Sequence, residues 1–270
     1  VNPTPRPAHH GRSPVIRPIA DTAADNARIA LRRAEDTAAL RSARPGKLGL
    51  CYGGGEACRW DLYPALDPAA PCIVLLHGSE WSDGGPAAFG AVARGLLAHG
   101  WSAALPSHGL RPGASLTRIT RDLHRAMGWL TAQGPLHGVA GPVLLCGWGS
   151  GAHLAALLLD HPRVRAGLGL SGVYDLGPFE EGLDLTPLEV EALSPQRLPV
   201  VRKPFALAFG GAEGTERQRY SRAFHALRSQ NGANDPLLVV PGADAMTLPD
   251  LLEAPDGLLC HTARALIEEG

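Results

Sequence analysis

Eight short apolar runs, each closed by glycine or proline, set the rhythm of the chain from residue 48 onward. They cover residues 48–52, 58–64, 72–78, 101–106, 143–147, 166–172, 205–210 and 237–242. Runs of this length between turn residues fit strands buried on both faces of a sheet. Helical periods lie between them. Residues 87–98 place Phe89, Val92, Leu96 and Leu97 on one stripe, and 116–131 do so with Ile119, Leu123, Met127 and Leu130. A third stripe in 256–268 carries Leu258, Leu259, Ala263, Leu266 and Ile267. Strands close together in sequence, followed by alternating strand and helix, predict an α/β domain. Its sheet is mostly parallel and doubly wound, of about eight strands flanked by helices, and the first strands can be antiparallel. Such sheets bind ligands at the carboxyl ends of their strands, which directs attention to the loops after 77, 147, 211 and 242.

The amino-terminal part has a different texture. Residues 1–20 carry five prolines and no apolar period, so 1–46 reads as an arm followed by a peripheral helix, and 47–270 as the domain proper. Asp21 is a plausible N-cap for that helix, whose only large apolar residues are Ile29, Leu31 and Leu40; its arginines read most simply as a solvated face.

Charge narrows the function classes. Twenty-five basic against 26 acidic side chains give a net charge of −1, which offers no global field for nucleic acid or an anionic membrane. No apolar run approaches the roughly 18–20 residues of a membrane span, and the first residues lack the apolar core of a signal peptide. Five scattered cysteines read as reduced core thiols of a cytoplasmic protein. The histidines do not fall at ligand spacings with cysteine or carboxylate, so no metal is expected, and Gly53-Gly54-Gly55 lacks the lysine of a phosphate loop and reads as a hairpin turn. No cofactor is expected. The partner is expected to be a small molecule, with a homodimer left open.

Residues 143–159 read as strand, glycine-rich turn and helix, the setting of a nucleophile elbow G-x-S-x-G. With Gly147 and Gly151 as the outer glycines, the nucleophile position holds Gly149, and the serine, Ser150, stands one residue later.

On these residues the chain resembles α/β-hydrolases of the arylformamidase (kynurenine formamidase) and small carboxylesterase group, over about residues 48–268. His77-Gly78-Ser79-Glu80-Trp81 resembles an H-G-G-x-W oxyanion loop, and Gly147 to Leu154 resembles G-H-S-A-G-A-H-L with two changes. Ser171 to Leu176 resembles an S-G-x-Y-D-L segment, and Gly210-Gly211-Ala212-Glu213 resembles an acid-bearing turn before a helix. The resemblance implies an α/β-hydrolase fold with Glu213 as triad acid. It also implies that the turn after the last strand, Pro241 to Met246, holds Ala245 where the family has its histidine.

Glycine and alanine supply neither a nucleophile nor a base, so the triad is expected to be degenerate. The N–H groups of Ser79, Glu80 and Ser150 are expected to form an oxyanion hole. Glu80 is either an acid or base in that pocket or a solvated loop charge, and Ser150 is either a shifted nucleophile or a helix-capping residue. His77 and Gly78 shape the loop or touch substrate, and His153 reads as a buried helix residue. Trp81 and Trp148 either stack on a flat substrate or pack the core, and Tyr174 either organises its loop with Asp175 or contacts ligand. Three functions follow: a repurposed pocket promoting a non-hydrolytic step such as elimination, isomerisation or cyclisation; a binding or scaffold protein without catalysis; and an active esterase or formamidase rewired through Ser150.

Overall fold

The computed structural model describes residues 23–268, and the expected arm at 1–20 and the Asp21 cap lie outside them. Helix α1 (Ala23–Ala43) precedes strands β1 (Lys47–Cys51), β2 (Arg59–Tyr63) and β3 (Cys72–Leu76). Short helices α2 (Pro86–Phe89) and α3 (Arg94–Ala98) lead to β4 (Ser102–Pro106), α4 (Leu116–Gln133), β5 (Val143–Trp148) and α5 (Ser150–Leu157). The chain continues through β6 (Val164–Leu170), α6 (Pro187–Leu193), β7 (Phe205–Gly210), α7 (Thr215–Gln230), β8 (Leu237–Val240) and α8 (Leu258–Glu268).

All eight apolar runs become strands of one sheet, in the order β1-β2-β4-β3-β5-β6-β7-β8. β2 pairs antiparallel with β1 and with β4, and every later pairing is parallel. Residues 53–55 turn the chain between β1 and β2, as the glycine run predicts.

Alternate residues of the central strands feed two separate cores. Val74, Leu145 and Leu207 pack on one face with Ile119, Leu123 and Met127 of α4 and Leu154 of α5. Ile73, Leu75, Leu144 and Leu168 pack on the other with Val92, Leu96 and the α8 residues Leu259 and Ala263. This two-residue alternation beneath continuous apolar runs is what a sheet covered on both faces requires. The stripe at 87–98 forms two short helices joined by a tighter turn at Gly90–Ala93, not one continuous helix.

Helix α1 is less peripheral than its composition suggests. Leu31 is 61% exposed, whereas Arg33, Thr37 and Leu40 are buried. Thr37 Oγ1 accepts from the Ala91 N–H at 3.0 Å, and Arg94 bridges the Asp36 and Glu253 carboxylates at 3.3 Å each. Arg32 and Arg33 both pair with Asp250, and Arg41 pairs with Asp61. The solvated-face reading of these arginines is therefore corrected, because the segment Leu248–Glu253 supplies carboxylates beneath the helix.

Four of the five cysteines are buried, Cys51 is exposed, and all five are free thiols. Among the described residues no helix is long and apolar enough to cross a membrane, and no group of three or more His, Cys, Asp or Glu side chains could hold a metal ion.

Candidate functional site

The carboxyl end of β5 runs straight into α5, and the turn between them leaves no room for side chains at its outer glycines. A Cβ on Gly147 would stand 2.1 Å from the Gly151 carbonyl oxygen, and one on Gly151 would stand 2.0 Å from that of Leu76. Between them Gly149 adopts φ 55°, ψ −115°, a conformation that L residues adopt only under strain. A Cβ on Gly149 meets nothing within 4 Å. The turn thus holds its central residue in the strained geometry of a nucleophile elbow and points it into open space.

That space is a cavity of about 330 Å³. Ser79, Glu80, Trp81 and Ser82 line it from the loop after β3, and Trp148, Gly149 and Ser150 line it from the elbow. Val173, Arg217, Ala245, Met246 and Asn26 of α1 complete the wall.

The β3 loop is unusual in its backbone. Ser79, Glu80 and Trp81 take φ values of 71°, 53° and 59°, three consecutive non-glycine residues in the left-handed region. Each costs on the order of 1 kcal/mol or more, so surrounding contacts must hold the loop. The Trp81 N–H donates to Ser150 Oγ at 3.2 Å, the Ser82 N–H donates to the Ser79 carbonyl at 3.0 Å, and the Arg111 N–H donates to the Trp81 carbonyl at 2.8 Å. Ser150 therefore uses one acceptor site of its hydroxyl to tie the loop to the first turn of α5. Its own N–H, at the first helical position, has no partner within the helix.

The aromatic wall is rigid. Trp148 stacks on Phe89 with ring centroids 5.7 Å apart, the Arg33 guanidinium lies 5.0 Å from its ring, and its indole N–H donates to the Ala245 carbonyl at 2.6 Å. Trp81 is fully buried and meets His153 edge-on at 5.2 Å.

On the far side of the turn after β8, Glu213 is buried. Its Oε1 accepts from Ser171 Oγ at 2.5 Å and from the Gly210 N–H at 2.6 Å, whereas Oε2 has no hydrogen-bond partner. Burial raises its pKa, and the Ser171 and Gly210 hydrogen bonds oppose that shift. The Ala212 N–H donates to the Ala243 carbonyl at 3.0 Å, so the acid turn and the Ala245 turn are joined through their backbones.

A model of the alpha/beta hydrolase family matches residues 73–267. The chain belongs to that family. It is 25% identical over 242 residues to a kynurenine formamidase of Salmo salar, covering 81% of each chain. A kynurenine formamidase of Danio rerio is 24% identical over 153 residues, 53% of this chain and 51% of that one. Among solved structures, a candidate thioesterase from Silicibacter sp. superposes with a TM-score of 0.80 at 22% identity, covering 92% of this chain and 96% of the other. Esterase B from Lactobacillus rhamnosis gives 0.69 at 18% identity over 93% and 97%.

Within this alpha/beta hydrolase several expected contacts move. Tyr174 does not line the cavity: it is fully buried, stacked on Phe224 at 4.2 Å, because its ring fills the core beneath β6 and β7. His77 also lies behind the loop, stacked on His108 at 4.7 Å with Nδ1 against the Gly78 carbonyl. Burial, and then the neighbouring His108, lower its pKa to about 4, so it stays neutral. Gly78 packs where a Cβ would lie 2.6 Å from the Trp148 carbonyl, so it seats the loop on the strand end and touches no ligand space. His153 is buried with Nε2 bonded to the Leu193 carbonyl at 2.7 Å. Asp244 accepts from the Met246 and Thr247 N–H groups and so holds the Ala245 turn.

Glu80 stands exposed at the cavity mouth, its carboxyl raised by partial desolvation and lowered by the Arg217 charge. Arg217, Met246, Val173, Ser82 and Asn26 escape sequence reasoning.

Proposed function

We propose that this alpha/beta hydrolase uses its cavity to bind a small carbonyl-bearing or aromatic molecule and to promote a non-hydrolytic step. The observation that carries this reading is Gly149, strained as an elbow residue and facing open space, with Ala245 at the facing turn and Glu213 Oε2 unpartnered. Hydrolysis through an acyl-enzyme needs a nucleophile and a base at those two positions, and neither side chain supplies one.

What remains is polarising power. The amides of Ser79, Glu80 and Ser150 belong to residues that line the cavity, and preorganised donors stabilise developing negative charge on oxygen without any covalent intermediate. Glu80, with its raised pKa, supplies a proton acceptor at the mouth. A pocket of this kind favours proton abstraction followed by elimination, isomerisation or cyclisation. The reading through Ser150 as nucleophile is disfavoured, because no histidine is bonded to it among the described residues and His77 and His153 are bonded to backbone carbonyls.

Nitrobenzisoxazole ring opening tests the proposal. A base removes the ring C–H proton, the N–O bond breaks, and the resulting phenolate oxygen takes the charge. Turnover above that of free carboxylate at equal pH, lost in Glu80→Gln, supports the reading. Absence of acceleration, together with no thermal stabilisation by small aromatic amides or acids, would remove it.

A further inference from the structure

Arg217 sits in the first turn of α7, half-buried, with its side chain on the cavity wall. Among the described residues it forms no ion pair and no hydrogen bond within the chain. This sets it apart from Arg228 of the same helix, paired with Asp235, and from Arg32, Arg33 and Arg41 on α1. Two carboxylates feel its charge without contacting it. Glu80 lies at the mouth, and Glu213 is already bonded through Oε1 to Ser171 and Gly210. The guanidinium fork is therefore unspent. Asn26, brought to the same cavity by the docking of α1, adds a second polar group. The rest of the lining is mixed: Trp81, Trp148, Val173, Ala245 and Met246 are apolar, and Ser79, Glu80, Ser82 and Ser150 are polar.

We propose that Arg217, assisted by Asn26, is an anion subsite, and that the ligand is a small one-ring carboxylic acid whose ring lies on Trp148, Val173 and Met246. This rests on the reading above only in placing the ligand in that cavity. A planar fork of N–H donors matches a carboxylate in two parallel hydrogen bonds, and apolar walls strengthen them by excluding water. The cavity, about 330 Å³, lies at the small end of ligand pockets and fits one ring with a short acid chain better than a long acyl chain.

The test is calorimetric binding of phenylacetate and phenylpropionate against the corresponding neutral amides. The wild-type chain should bind each acid about tenfold or more tightly than its amide, with the acid's advantage shrinking as salt is raised. Arg217→Gln should weaken the acids by about tenfold or more and leave the amides unchanged, while Arg217→Lys, keeping the charge without the fork, should fall between. Equal binding of acids and amides by the wild type, or equal losses in Arg217→Gln, would overturn the subsite while leaving the cavity as a ligand site. Failure of acids and amides alike would overturn both. The acid-against-amide comparison on the wild type needs no variant to fold.

Discussion

The indole N–H of Trp148 donates to the carbonyl oxygen of Ala245 at 2.6 Å, joining the residue before Gly149 to the turn that follows β8. The bond uses only the backbone of Ala245. Side chains at 149 and 245 can therefore change without breaking the link that aligns the two segments.

Supplying a nucleophile and a base at 149 and 245 should create hydrolysis. Gly149→Ser with Ala245→His should turn over a small aryl ester at least about a hundredfold faster than either single variant, because nucleophile and base act as a unit. Glu213 Oε2 is free to receive the new imidazole N–H. Nitrophenyl acetate kinetics check this, and equal rates in the double and single variants would mean that Glu213 does not reach the 245 side chain.

Gly149→Ala isolates the backbone strain. No atom lies within 4 Å of the new methyl, so the cost comes from φ 55°, ψ −115° alone. Urea unfolding should show a loss of about 1–3 kcal/mol. Unchanged stability would show that the elbow relaxes.

Three buried histidines should make the fold acid-sensitive, since burial lowers His108 in the same sense as His77 and His153. Burial lowers both His77 and His153 from 6.5 to about 4. The unfolded chain binds their protons below about pH 6.5 and the folded chain does so only near 4. Their contribution is thus fully present above 6.5 and is lost as pH falls toward 4, at most on the order of 3 kcal/mol for each. Glu213 works in the opposite sense, since its raised pKa favours the folded state as pH falls through that raised value. Denaturation midpoints at about pH 7.5 and about pH 5 should show net loss, and His153→Gln should flatten the slope.

Arg33→Ala should loosen α1 and with it the cavity. Arg33 is 3% exposed, pairs with Asp250, donates to the Met246 carbonyl and covers Trp148. Its removal should cost about 2–4 kcal/mol in urea unfolding and weaken ligand binding, whereas Arg32→Ala, at an exposed pair, should cost less than about 1 kcal/mol.

The strands were legible because each apolar run ends in a turn residue, and the elbow was legible because Gly147 and Gly151 frame it at a fixed spacing. Asn26 and Arg33 were not, since their roles arise when α1 docks on Leu248–Glu253, a contact between segments more than two hundred residues apart. Tyr174 and His77 stayed between a structural and a ligand-contact role for the same reason in reverse: their motifs place them near the strand ends, but only packing decides that one faces Phe224 and the other His108. The left-handed run at Ser79, Glu80 and Trp81 carries no local signature, because none of the three is a residue that favours it.

Intact-protein mass spectrometry after incubation with a serine-directed fluorophosphonate tests the central claim most directly. A pocket whose nucleophile position is Gly149 should leave the mass unchanged while small ligands still stabilise the fold. A one-to-one adduct mapping to Ser150 would contradict the account.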